Sequence, residues 1–340
     1  MLAAQRRLGM PGRQMASRGG IIDASATSQF MSLSRQVKTA LDETRLLMLG
    51  AQVLFGFKLN GVFQEEFANL SVASRYVDCA GQVLMAMAIG LLVAPSMQHR
   101  IVENGEDTVR IHRVAGVFAG MALLPFAVSL GLGFYIVFDH VFGMTAALVA
   151  GSAFCLLAGV FWYGLGFSLR PKSRERTMQE EKPTPLTTKI EQMLTEARII
   201  LPGAQALLGF QLTVTLTRAF GQLSDSLKLF HVASLCCVAV AIILLMTPAA
   251  LHRISFAGED TPSFLTIGSW FVIIAPAPLA IGIAGDLYVA TSTAAASLTL
   301  AAILALAVLS LLTCLWYIVP IVLRARALHS LSSTREEPIH

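Results

Sequence analysis

The sequence predicts an all-α membrane protein with eight transmembrane helices, built as two parallel four-helix repeats. Three observations carry that expectation. Of the 340 residues, 55% are hydrophobic and only 14% charged, where an average soluble domain carries about 25% charged residues. Eight stretches are apolar enough to cross a bilayer, given the ~20 residues a spanning helix needs. Residues 43–108 align without a gap on 196–261 at a constant offset of 153, with 26 of 66 positions identical. A repeat of this length decides the architecture before any local reading does. Closed barrels are excluded, because their strands alternate in hydrophobicity and run only about ten residues; helices are what remains.

Along the chain, residues 1–36 read as a disordered basic cytoplasmic tail. They are rich in Arg, Ser and Ala, with Asp23 their only acid. That composition overlaps with an organelle transit peptide, but a plain cytoplasmic tail, with Met31 as an alternative start, is the favoured reading. The first repeat covers 37–170, with spans near 46–63, 78–98, 114–138 and 142–168. A cytoplasmic linker follows at 171–189, polar and containing Pro183 and Pro185, as connections between units are. The second repeat covers 190–324, with spans near 199–217, 229–251, 264–285 and 294–322. No charge occurs between Asp286 and Arg324. Residues 325–340 form a second cytoplasmic tail.

Each repeat opens on an amphipathic run. Val37, Leu41 and Leu46 return as Ile190, Leu194 and Ile199, a spacing suited to a helix at the membrane interface. Pro125 and Pro278 occupy equivalent sites in the third spans, where proline removes a helical hydrogen bond and bends the helix. Gly116 and Gly120 suit close helix packing. Trp162-Tyr163 matches Trp316-Tyr317 at an offset of 154, so the register slips by one residue late in the repeat.

Orientation follows from Lys and Arg. Of 25 such residues, 21 fall in segments on the side of the N-terminus, while Arg75, Arg218 and Lys228 fall on the other and Lys58 lies within the first span. Both termini are expected in the cytoplasm. The net charge of +4 reflects this bias and not a nucleic-acid partner. The five cysteines all fall in spans and read as small apolar residues, without disulfide or metal spacing.

An even number of spans gives both repeats the same orientation, related by a pseudo-two-fold axis along the membrane normal. A four-span unit that works as a homodimer is then fused into one chain, with its functional surface at the axis.

The repeated polar residues gather at the cytoplasmic rim. The first copy supplies Glu43, Arg45, His99, Arg100, Glu106 and Asp107; the second supplies Glu196, Arg198, His252, Arg253, Glu259 and Asp260. Arginine and carboxylate at helix ends, Glu43 with Arg100 for example, staple a helical hairpin. The same set could hold a carboxylate, phosphate or protein partner, or gate with pH through its histidines. Deeper lie Gln52 and Gln205, two turns beyond Arg45 and Arg198 and on the same face. They either bond a neighbouring helix or line a polar path. Lys58, whose counterpart is Gln211, either snorkels to the outer interface or joins that path. No carboxylate lies mid-span; Asp78, Asp139 and Asp286 fall near the outer boundary. No nucleophile–base spacing, phosphate loop or metal-ligand set is present, so neither an enzyme nor a cofactor is expected.

The run Glu-x-Arg-x4-Gly-Ala-Gln-x-Leu-x-Gly-Phe-x-Leu, followed by Pro-x-x-x-His-Arg, occurs at Glu43–Leu59 with Pro95–Arg100 and again at Glu196–Leu212 with Pro248–Arg253. It resembles a family of small four-span bacterial membrane proteins of unknown function, some members of which carry a sodium/proton antiporter label. The resemblance implies a bacterial inner-membrane protein and no particular chemistry. The leading functional expectation is a transporter-like or channel-like protein for a small solute or ion. Gln52, Gln205 and Lys58 would line its path and the rim would gate it. The second expectation is a scaffold or accessory subunit that docks a protein partner, or a second copy, at the rim.

Overall fold

The computed structural model describes Thr44, residues 46–164 and residues 183–333, and every regular element among them is helical. In chain order the longer ones are α1 (Leu46–Gly61), α2 (Val72–Ile101), α3 (Val109–Phe142), α4 (Met144–Gly159), α5 (Leu186–Val214), α6 (Asp225–Ile254), α7 (Pro262–Ile274), α8 (Pro276–Ala295), α9 (Leu298–Thr313) and α10 (Val319–Ser333). Taking α7 with α8 and α9 with α10, seven helices are long and apolar enough to cross a membrane, and α1 is a shorter apolar helix. The expected eight full-length spans are therefore seven plus one short one.

Local signals set the helix starts. The Ser71 hydroxyl accepts from the Ser74 N–H and the Ser224 hydroxyl from the Leu227 N–H. Thr108 and Thr261 cap α3 and α7 in the same way. Each such cap is worth roughly 1 kcal/mol. All four fall at the offset of 153. So do the tight turns between the second and third spans. Gly105 (φ 78°) and Gly258 (φ 84°) both take the left-handed conformation that favours glycine.

The later slip in register has a location. Gly143 alone joins α3 to α4, whereas Ala296 and Ser297 join α8 to α9. Beyond it, Val160–Gly164 and Cys314–Ile318 are both π-helical, and such bulges lodge an extra residue in a helix. Just there the Tyr163 hydroxyl donates to Gly120 O and the Tyr317 hydroxyl to Ile273 O.

Several expectations are corrected. Ile190, Leu194 and Ile199 lie on one continuous helix, α5, with Ile190 and Ile199 buried; tertiary packing, not the interface, takes their apolar face. Val37 and Leu41 lie outside the described residues. A Cβ at Gly116 or Gly120 would meet nothing within 4 Å, so neither mediates close packing. The α3–α4 approach uses Gly131 and Gly151, where a Cβ on Gly131 would fall 2.7 Å from Gly151 O. Pro125 sits inside a continuous α3, whereas the third span of the second half breaks at Ala275, with Pro276 opening α8.

The core centres on α2. It packs against α3 on one side and against α8, α9, the following π turn and α10 on the other. Elsewhere α4 packs on α3, and α5, α7 and α8 pack on α6. The α1 and α5 helices meet through Gln52 and Gly203, where a Cβ on Gly203 would lie 1.3 Å from the Gln52 amide oxygen. Phe57 and Phe210, equivalent positions, pair with ring centroids 4.6 Å apart.

Candidate functional site

Two polar regions stand out, one at each end of the bundle. At the end of α2, the His99 Nδ1 lies 2.5 Å from Glu196 Oε1 and the Arg100 Nε donates to Glu196 Oε2. All three side chains are buried. Arg100 reaches further, to the Ser269 hydroxyl and the Lys189 carbonyl, both at 3.4 Å. Hydrogen bonds to ionised groups are the strong ones, and here one glutamate from α5 ties two donors from the other half of the chain, the His99 imidazole and the Arg100 guanidinium. Arg100 is thus held across the halves. A staple between Arg100 and Glu43 cannot be placed beside it, because Glu43 and Arg45 lie outside the described residues.

The loop after α2 continues the lock. Glu106 accepts from Lys189 Nζ and from the Thr184 N–H (2.8 Å). Gln192 donates to Asp107 Oδ1 at 2.5 Å, and the Asp107 N–H donates to Thr184 Oγ1 at 2.9 Å. Partial burial pushes the Glu106 carboxyl up. The Lys189 ammonium and the Thr184 donors outweigh it and hold the group below the usual carboxylate range. A depressed carboxylate stabilises the fold above its unfolded value, about 4.3, and loses that contribution as pH falls through its lower folded value. The stability difference between wild type and Glu106→Gln should therefore be constant near neutrality and shrink as pH falls below about 4.3. Unfolding midpoints in detergent across pH measure it; a difference that grows on acidification would contradict the assignment.

The second rim is open. His252 lies 3.4 Å from Asp260 and stacks on Phe264, with ring centroids 4.7 Å apart. Arg198, Arg253 and Glu259 are exposed, and Arg253 and Glu259 have no partner among the described residues. The sequence placed two matching clusters here; the fold completes one.

The opposite end holds two clusters that residue-by-residue reading underrated. Lys58 does not snorkel. It turns inward between α2 and α3, 3.8 Å from Asp78, whose other oxygen accepts from Gln82 at 2.8 Å. In the other half, Gln211 donates to Asp286 at 2.6 Å, and His231 donates through Nε2 to the Gln211 carbonyl at 3.0 Å. The other nitrogen of His231 faces Asp286 at 4.0 Å, and Asp286 Oδ1 has no hydrogen-bond partner among the described residues. Asp78 and Asp286 are both buried. Positions 58, 78 and 133 carry Lys, Asp and Gly; their equivalents 211, 231 and 286 carry Gln, His and Asp. The signal was present in that alignment, since each triplet contains one acid and one basic side chain. It went unread because the acid changes helix between the halves.

Gln52 is buried against Gly203 with neither amide atom bonded to a described residue, whereas Gln205 faces outward. The equivalent glutamines thus do not share one path. A cavity of about 10 Å³ borders Gln211, His231 and Asp286, room for about one water.

One family matches the chain twice, over residues 27–166 and again over 179–320; it is described as a family of unknown function, DUF6328. The chain belongs to that family. The two matched segments fit a tandem duplication of the DUF6328 unit. No curated protein and no solved structure matches the chain.

Proposed function

We propose that this DUF6328 chain is a transporter-like protein of a bacterial inner membrane, moving a small solute or ion between its two halves. In this reading α1 counts as the eighth span, the halves are parallel repeats related by an axis along the membrane normal, and both termini are cytoplasmic. The observation that carries it is the pair of buried clusters, Lys58–Asp78–Gln82 and Gln211–His231–Asp286. Ionisable groups inside a membrane are costly and by default functional. A carboxylate facing lysine or histidine changes net charge when one proton or cation enters. The unbonded Asp286 Oδ1 is the acceptor for it. The His99–Glu196–Arg100 lock serves as the cytoplasmic closure, with the chain in an occluded state.

The test is flux. Purified protein in liposomes with an internal pH dye should dissipate imposed proton, sodium or potassium gradients. Asp286→Asn should lose at least about tenfold of that rate, or roughly 1.4 kcal/mol of barrier. Proteoliposomes no more permeable than empty ones to any of the three would end this reading.

A second reading is favoured by the closed axis, where Gln52 packs on Gly203 and Phe57 on Phe210. A dry bundle fits a scaffold or accessory subunit. Its open rim, with Arg198, Arg253, Glu259 and Asp260 exposed, would then dock a partner that co-purifies in fixed stoichiometry.

A further inference from the structure

The two halves use their faces unequally. Of the most apolar stretch of α2, 72% is buried within the protein, against 28% for the most apolar stretch of α6. The face of α2 that includes Gly90, Val93 and Met97 is fully covered. Its cover comes from the third and fourth spans of the second half. The Trp316 indole N–H donates to Gly90 O at 2.9 Å, and Leu312 and Leu315 close over Gly90.

The matching face of α6 has no such cover. Ile243, equivalent to Gly90, is 64% exposed, and Met246, equivalent to Val93, is 49% exposed. Together with Leu194, Arg198 and Leu201 of α5 they line a groove of about 700 Å³. The third and fourth spans of the first half do not fill it, since α4 packs on α3 and makes no comparable contact with α6. Several of their would-be contact residues are bare, although Ala158, equivalent to Leu312, is buried and Trp162 is half-buried against Phe126. Phe161, equivalent to the packed Leu315, is 59% exposed. Val137 and Val141 are exposed where Ala290 and Ala294 are buried. The Trp162 indole donates to no described residue, although its counterpart Trp316 does.

One interface is thus made inside the chain, and one donor face and one acceptor face of the same kind are left over. A contact between unlike faces closes into a ring when the rotation allows. We propose that a second copy of this chain completes it: the Phe161–Trp162 turn of each copy seats in the α5–α6 groove of the other, giving a closed homodimer of four repeats. Within lipid, burial of apolar surface alone does not drive association, so shape and hydrogen bonds must; the groove and the unused indole N–H supply both. The second contact differs from the first in detail. Ile243 replaces Gly90, and its carbonyl already accepts from the Thr247 hydroxyl at 2.7 Å, so Trp162 must find another acceptor along the groove.

The test uses two tagged full-length copies lacking the native cysteines, one with Phe161→Cys and the other with Met246→Cys. On oxidation of co-expressing membranes, disulfide-linked pairs should join the differently tagged copies at least about tenfold more than two Phe161→Cys copies. Photobleaching of fluorescent fusions in native membranes should give two steps, and Met246→Trp, which fills the groove, should shift them toward one. Single-step bleaching of the wild type overturns the proposal. So does a monomer whose groove retains a phospholipid in native mass spectrometry, or failure of the mixed pair to cross-link while both cysteines react with a maleimide.

Discussion

Replacing Glu196 with alanine should destabilise the protein by about 3–5 kcal/mol, because it leaves the Arg100 charge buried and unpaired. Glu196 has no exposed surface and accepts from both His99 and Arg100, while Arg100 is itself buried. Its other partners, Ser269 and the Lys189 carbonyl, stand at the long end of hydrogen-bonding distance. Replacing Glu196 and Arg100 together by leucines should recover most of the loss, since apolar packing substitutes well for a buried pair. Glu259, the exposed glutamate of the second rim, should tolerate alanine within about 0.5 kcal/mol. Unfolding by denaturing detergent measures all three variants. A Glu196→Ala cost below about 1 kcal/mol would mean the lock contributes geometry without stability.

The second large effect is expected at Lys58 and Asp78. Either Lys58→Met or Asp78→Leu alone should cost about 3–5 kcal/mol, and the double variant should return to within about 1.5 kcal/mol of wild type. The reasoning is burial. The pair sits between α2 and α3, 3.8 Å apart, and Gln82 is the further partner of Asp78 among the described residues. If Lys58 reached water, the single variants would be nearly silent, as exposed pairs contribute about 0–1 kcal/mol. Additive losses in the double variant would show that the two residues do not interact. Flux measured on the stable double variant also separates roles: restored folding without restored transport would assign the pair to function.

Much of the architecture was legible because lipid leaves few choices. Long apolar stretches must be helices, and the Ser71/Ser224 and Thr108/Thr261 caps repeat because the turns they begin repeat. The rim residues His99, Arg100 and Glu196 were also visible, as charges returning at a fixed spacing. Their pairing was not. Sequence equivalence treats Glu43 and Glu196 alike, but which helix end meets which rim depends on how the halves dock. Lys58 misled for a related reason: a lysine near a span end can reach water or turn inward, and only the neighbouring glycines decide. A Cβ on Gly81 would lie 2.8 Å from its Nζ, so the absent side chain makes the room.

By itself, then, the sequence determined the membrane class, the helical state of the apolar stretches, the duplication and its register, and the identity of the repeated charges, while the helix starts lay up to 13 residues from the expected ones, at Leu186 instead of 199. Those follow from local hydrophobicity and from comparing the chain with itself. Only the tertiary structure decided that Glu196 crosses to Arg100, that Asp78 and Asp286 are buried beside Lys58 and His231, and that α2 is enclosed while α6 is not. These depend on helix–helix docking, where small residues such as Gly81, Gly90 and Gly203 set the distances, and two halves with similar sequences need not dock symmetrically.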